Sequence, residues 1–353
     1  MSDFRIDKIT NREGDAGTQI AGITTFSGTS GMQLPSGPTE YRGGRGRGVK
    51  SGSKPATTSM EYIEIATTGN ATDFGDVFDG GYGMGSAGSY TRGVTVGGYS
   101  LQKSMGYFTF SSKGGQSEFG DLNKNQYLCF GLSNGIRGLF GGAYYKVDYN
   151  APFEPSDAYG IDEITFATKG NASDWGDNVQ VPTYCSGSVN SSTRGIYGGG
   201  RQRYPNSIGG GNPNTPNNTP VENIVYLEFA SRGETAQFGS LGFAGAYTVG
   251  GSSPTRGIFM GGEAPSIQNR IDYITIATTG DATDFGDLTQ TTTRHAGTSS
   301  HTRGISMGGT NPSASNVISY VTISTTGNAT DFGDLSSAEK WFSACSDVHG
   351  GLE

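Results

Sequence analysis

His295, His301 and His349 are the only imidazoles in the chain, and Cys129, Cys185 and Cys345 are the only thiols. With the acidic side chains, they are the material from which a metal centre, an acid–base pair or a covalent nucleophile would be built. Their spacing builds none of these. His295 and His301 bracket one short strand-like segment, and His295 could face its neighbours there, but no His, Cys or Asp set has metal-ligand spacing. No serine has a recognisable base. The aspartates recur in step with a repeat, so no carboxylate pair stands out as acid and nucleophile. Gly-x-Gly patterns abound only because glycine does. These residues predict a protein that is not an enzyme and has no cofactor or metal, with its histidines expected in surface loops.

Recognition chemistry is better supplied. Segments 146–160 (KVDYNAPFEPSDAYG) and 201–222 (RQRYPNSIGGGNPNTPNNTPVE) are long and irregular. Tyr149, Phe153, Tyr159, Arg201, Arg203 and Tyr204 offer stacking surfaces and forked hydrogen bonding there, which suits sugars or a protein groove. Packing against a neighbouring subunit is the other use of the same loops. One basic cluster, Arg42, Arg45, Arg47 and Lys50 in YRGGRGRGVK, is read as a glycine-rich hinge into the first repeat rather than an RNA-binding tract. The net charge is −8 and only 16% of residues are charged, so nucleic acid is not an expected partner. No apolar run approaches the roughly 18 residues of a membrane span, and no signal-peptide core follows Met1.

The elements that must carry these loops form a repeat. ITIATTGDATDFGDL at 274–288 recurs in variant form at 63–77, 108–122, 164–178, 227–241 and 321–335. An Arg-Gly motif precedes each copy, at Arg47, Arg92, Arg137, Arg194, Arg256 and Arg303, with intervals of 45, 45, 57, 62 and 47 residues. Such a period, dense in strand signals, indicates a propeller or stacked array. The 60 glycines, roughly 17% against a usual ~7%, hold fixed places in each unit and alternate with β-branched and aromatic runs. That order separates the chain from disordered sequences.

Each unit divides into four strands. In the sixth they are read at 296–300, 303–308, 319–325 and 331–335, with 311–316 as a short connection. The third strand alternates: Ile63/Ile65, Phe108/Phe110, Ile164/Phe166, Leu227/Phe229, Ile274/Ile276 and Val321/Ile323 share one face. The residue before each pair, a tyrosine except at Glu163, points the other way. A turn glycine follows, then an outer-strand aromatic: Phe74, Phe119, Trp175, Phe238, Phe285 or Phe332. That ring is expected to wedge between blades. The aspartates Asp76, Asp121, Asp177, Asp287 and Asp334 come two residues later and are expected to pair with the repeated arginines. The cysteines fall in equivalent segments of different units, too far apart for a disulfide, and are read as buried thiols.

The first unit lacks a first strand, and 341–348 (WFSACSDV) aligns with the first strand of the others. The C-terminal strand can therefore complete the first blade and remove an exposed edge. The expectation is an all-β, six-bladed β-propeller of four-stranded antiparallel blades over 45–353, closed by the C-terminal strand, with an extended N-terminal docking arm over 1–44. The arm carries apolar clusters, Phe4, Ile6 and Ile9, then Ile20, Ile23 and Phe26, too sparse to bury a core alone.

Gly-Gly after the second strand and an aromatic on the outer strand resemble kelch-type propeller repeats, although Trp occurs in only one of the six units. The arm segment ITNREGDAGTQIAGITTFSGTSGMQLPSGPTEYRGGRGRG resembles the N-termini of structural proteins from marine tailed phages, notably T4-like cyanophages. The TTGNATDFGDL repeats are similar to the bodies of those proteins, and the second and fourth units depart from that wording. The resemblance implies a virion fibre, appendage or decoration protein, assembled in the host cytoplasm. It would dock through its arm and occur in several copies or as a homo-oligomer. Its partners would be other virion proteins, with a host-surface glycan or receptor at the loops. The alternative is a free carbohydrate-binding propeller lectin or scaffold of a bacterial cell.

Overall fold

The computed structural model describes residues 26–27, 31–32, 46–99, 102–142, 160–178, 183–184, 186–202, 219–263 and 265–352. Among them every regular element is a strand. Six four-stranded antiparallel sheets are present. The first blade joins Ser343–Ser346, Arg47–Ser53, Thr57–Glu64 and Thr72–Asp76, in that order. The second comprises Gly85–Gly88, Arg92–Val96, Gln102–Thr109 and Ser117–Gln126. The third comprises Phe130–Ser133, Arg137–Gly141, Gly160–Thr165 and Ser173–Asp177. The fourth comprises Gly187–Asn190, Arg194–Gly198, Asn223–Glu228 and Ala236–Ser240. The fifth comprises Val249–Ser252, Arg256–Glu263, Ile267–Thr275 and Thr283–Asp287. The sixth comprises Ala296–Ser299, Arg303–Asn311, Ser313–Thr322 and Thr330–Glu339.

First strands of neighbouring blades touch all the way round, so the sheets form a closed six-bladed β-propeller. The C-terminal strand closes it as expected, with Ser343 opposite Ser51 and Ser346 opposite Gly48. In the sixth blade the second and third strands run on into a tight hairpin, so 311–316, expected as a connection, is mostly strand. The chain separates into two compact units, Met1–Arg42 and Gly43–Glu353. In the first, Phe26 pairs with Met32 in a two-stranded sheet. Phe4, Ile6, Ile9, Ile20 and Ile23 lie outside the described residues.

The core is divided into six interblade layers, because each blade is only one sheet thick. Phe74 of the first blade packs with Phe108 and Phe110 of the second, and Phe119 with Ile164 and Phe166 of the third. The pattern continues round to Phe332, which packs with Ile63 and Ile65 of the first. The outer-strand aromatic therefore wedges against the alternating apolar pair of the next blade. A buried ring of this size is worth ~3–5 kcal/mol against Ala.

Polar contacts follow the same step of one blade. Arg47 Nη1 donates to the Phe110 carbonyl, Arg92 to Phe166 and Arg137 to Phe229. Arg194 donates to Ile276, Arg256 to Ile323 and Arg303 to Ile65. Each repeated arginine thus caps the third strand of the following blade. Five of them also lie 4.6–5.3 Å over the tyrosine of their own third strand. In the third blade, Glu163 replaces that tyrosine and pairs with Arg137 at 3.2 Å.

The expected aspartate–arginine pairing is not what forms. Among the described residues the carboxylate partners of the repeated arginines are Glu64, Glu163 and Glu228. The aspartates instead sit where the next blade's turn latches on. Asn171, Asn328 and Asn70 accept from the backbone N–H of Asp121, Asp287 and Asp334, each at 3.0 Å. Arg47 and Lys50, expected in a hinge, lie in the first blade's second strand with both side chains buried. Arg42 and Arg45 fall outside the described residues.

Candidate functional site

Six first strands converge on an axial channel, and their composition suits the crowding: GSAG, FGLS, GSVN, VGGS, AGTS and SACS. Small side chains suit six backbones approaching one axis, and the large exceptions, Phe130 and Leu132, pack into an interblade layer. The two ends of the channel differ.

At the base, the last residues of these strands form a belt. Ser133 N donates to Asn190 Oδ1, Asn190 N to Ser252 Oγ, and Ser252 N to Ser299 Oγ. Ser346 Oγ donates to the Ser299 carbonyl at 2.6 Å. The segment following the closing strand runs across this belt, and residues 347–352 are all buried. His349 is its anchor. Its Nε2 lies 2.9 Å from the Gly88 carbonyl and 3.1 Å from Ser133 Oγ. Gly351 N–H donates to Nδ1 at 3.1 Å, which assigns the proton to Nε2 of a neutral ring. Burial, with His301 nearby, lowers its pKa to about 4. His295 is also buried beside Ser306, with its pKa lowered by burial to about 3. Two of the three histidines are therefore interior residues, contrary to the surface expectation.

A cavity of about 160 Å³ runs along the channel, lined from Ser133, Asn190 and His349 at the base to Leu128, Tyr247, Arg294 and Trp341 at the opposite end. Two residues before each first strand the backbone turns sharply into the channel wall. Leu128, Tyr247, Arg294 and Trp341 make this turn with φ of 60°, 58°, 56° and 64°, and Gly83 makes it at 71°. The fourth blade's equivalent, Cys185, lies outside the described residues. Non-glycine residues in this region cost on the order of 1 kcal/mol or more each and persist only where their surroundings enforce the geometry. Here the enforcement is a backbone chain around the rim. Trp341 N–H donates to the Arg294 carbonyl, Gly83 N–H to Trp341, and Leu128 N–H to Gly83, at 2.7–2.8 Å.

The strained turns present a rim of aromatic and cationic side chains. Tyr247 and Trp341 meet edge to face at 5.0 Å. The Arg294 guanidinium lies 4.9 Å from one ring and 5.3 Å from the other. Arg201 lies 5.2 Å from the Tyr247 ring, and both arginines reach Glu263, at 3.5 and 3.0 Å. Across the mouth, Tyr82 stacks on Tyr99 at 4.5 Å, with Tyr127 edge-on to both. Burial raises the Tyr82 pKa, with Tyr99 adding to the shift. Tyr99 is 53% exposed, so one face of this stack is open to a ligand.

Of the expected loop residues, Arg201 joins this rim; Tyr149, Phe153, Tyr159, Arg203 and Tyr204 lie outside the described residues. Tyr247, Arg294 and Trp341 were not singled out from the sequence. They share a place in the fold but no residue type, so the repeat alignment alone does not expose them. Among the described residues no group of three His, Cys, Asp or Glu is placed to hold a metal ion, and no helix is long and apolar enough to cross a membrane.

Fold and site together define a six-bladed propeller with one end of its channel covered and an aromatic–cationic rim at the other. No protein-family model matches the chain, and no curated protein is similar to it in sequence.

Proposed function

We propose that this protein is a recognition propeller of a phage particle: the N-terminal arm docks it to other virion proteins, and the open rim binds a host-surface glycan. The observation that carries the binding half is the set of four non-glycine residues held at positive φ around one channel mouth. Strained backbone maintained at a rim, with aromatic and guanidinium groups on it, suits a stacking and hydrogen-bonding site. Arg294 and Arg201 supply forked donors, Glu263 an acceptor, and Trp341, Tyr247 and Tyr99 apolar faces. That combination matches a sugar ring, which has hydroxyls on its edge and C–H groups on its faces. The virion half rests on the resemblance of the arm and repeats to marine phage structural proteins.

Two experiments test the halves separately. On an array of bacterial surface glycans, the wild-type protein should retain specific oligosaccharides, and Trp341→Ala should weaken retention at least tenfold. Equal retention by the variant removes the rim from the reading. In gradient sedimentation the full chain should travel with intact particles, whereas a chain lacking residues 1–42 should stay at the top. Failure of the full chain to sediment with particles removes the virion assignment.

A further inference from the structure

Lys50 occupies a place that no other blade gives to a charge. It lies opposite Glu61 in the first blade's strand pairing. The corresponding second-strand residues are Thr95, Phe140, Tyr197, Phe259 and Ser306. The lysine side chain has no exposed area at all, and its Nζ touches the carboxylate of Glu339, itself only 7% exposed. Glu61, 3% exposed, lies 3.9 Å away on the other side. The Phe342 ring covers the amine at 5.6 Å. Lys50 Nζ and Glu339 Oε2 have no hydrogen-bond partner elsewhere.

The three residues come from the two ends of the ring. Lys50 and Glu61 belong to the first blade, and Glu339 ends the extended outer strand of the sixth. The equivalent position between the second and third blades shows the ordinary solution. Gln126, seven residues after Phe119 as Glu339 is after Phe332, donates to Asp162, and the lysine is replaced by Phe140. Among the described residues, only at the closing seam are an amine and a second carboxylate buried together. Burying such charges is expensive, and their conversion to a neutral amide removes that cost.

We propose that Lys50 and Glu339 condense to an intramolecular isopeptide bond that covalently locks the propeller seam. The Lys50 ammonium passes one proton to the Glu339 carboxylate, leaving a neutral amine beside a carboxylic acid. Lys50 Nζ then attacks Glu339 Cδ. Glu61 accepts a proton from the nitrogen and returns it to the departing hydroxyl, which leaves as water. The C–N bond forms, one C–O bond breaks, and one water is released, with no oxidant or other reactant consumed. Enclosure holds nucleophile and carbonyl together, the condition under which intramolecular acyl transfer is fastest. Glu61 is held in place by Ser336, whose N–H and hydroxyl donate to its two oxygens at 3.1 and 2.6 Å.

The test is the intact mass of the denatured full-length protein, which needs no variant to fold. The expected mass is lower by one water than the sequence requires. Tryptic digestion should leave the peptide containing Lys50 uncut at that residue and joined to the peptide containing Glu339. Glu61→Gln, checked for native fold by circular dichroism, should show the full mass. A wild-type protein at full sequence mass overturns the proposal. So does a water lost only within the peptide spanning Asp79–Gly80, where succinimide formation gives the same mass change. A cross-link that persists undiminished in Glu61→Gln overturns the role given to Glu61.

Discussion

Arg303 in the sixth blade donates a 2.9 Å hydrogen bond to the carbonyl of Ile65 in the first, 238 positions away. The same contact is made at each of the other five blade boundaries, so the ring is held by one repeated gesture of guanidinium to backbone. At the seam it supplements a closing strand of only four residues. Arg303→Ala should therefore lower stability by about 1.5–3 kcal/mol, the range for a hydrogen bond to a charged group. Chemical denaturation checks this. Arg303→Lys should recover little, because the single ammonium cannot both stack on Tyr320 and reach the carbonyl.

The glycine of each Phe-Gly-Asp or its variant is a second seam element. Gly286 has φ +144°, and a Cβ there would stand 2.5 Å from the Gly327 carbonyl oxygen. Gly286→Ala should cost ~3 kcal/mol or more, from backbone strain and interblade clash together. Gly280→Ala, where no atom lies within 4 Å, should cost clearly less. Thermal melts of the two variants side by side make the comparison.

These two contacts mark how much the sequence disclosed. Six units, the alternating pairs such as Ile274/Ile276, the wedge rings such as Phe285 and the C-terminal closure were all legible, because hydrophobic period and turn chemistry are properties of residue types. The arginine staples were half legible: the Arg-Gly motif stood out, but its partner is a carbonyl one blade away, and a carbonyl has no residue signature. The rim was not legible. Leu128, Tyr247, Arg294 and Trp341 have nothing in common except a backbone angle set by convergence on the axis. Lys50 read as part of a glycine-rich hinge because its partner Glu339 arrives from the far end of the chain.

Stability should fall in mild acid. The pKa of His349 is lowered from 6.5 to about 4, and that of His295 to about 3, mainly by burial. The unfolded chain thus takes up protons first, so this contribution is full above about pH 6.5 and is lost progressively toward pH 4. Each histidine contributes up to ~1.4 kcal/mol per pH unit in that window. Asp162 and Asp272, raised by burial, give a slope of opposite sign at the acid end. His349→Asn should flatten the fall between pH 6.5 and 4, as measured by urea denaturation at several pH values.

Removing residues 341–353 should leave the inner edge of the first blade's Arg47–Ser53 strand unpaired and produce aggregation, since a bare edge templates pairing with other chains. Removing only residues 349–353 should keep the ring closed while uncovering the belt at Ser133, Asn190 and Ser252. Size-exclusion chromatography separates the two outcomes. A monomeric, cooperatively folding product from the longer deletion would contradict the closure.

If recognition lies at the rim and the repeated residues are scaffold, a rim side chain should report binding directly. The chain's two tryptophans allow a direct measurement, because Trp175 is 3% exposed inside an interblade layer and Trp341 stands at the mouth. With Trp175→Phe, Trp341 becomes the single reporter. Titration with an oligosaccharide retained on the glycan array should change its fluorescence saturably, and Tyr247→Ala should raise the Kd at least tenfold. Binding of the same oligosaccharide with no change at Trp341, and with Kd unaltered by Tyr247→Ala, would place recognition away from the rim.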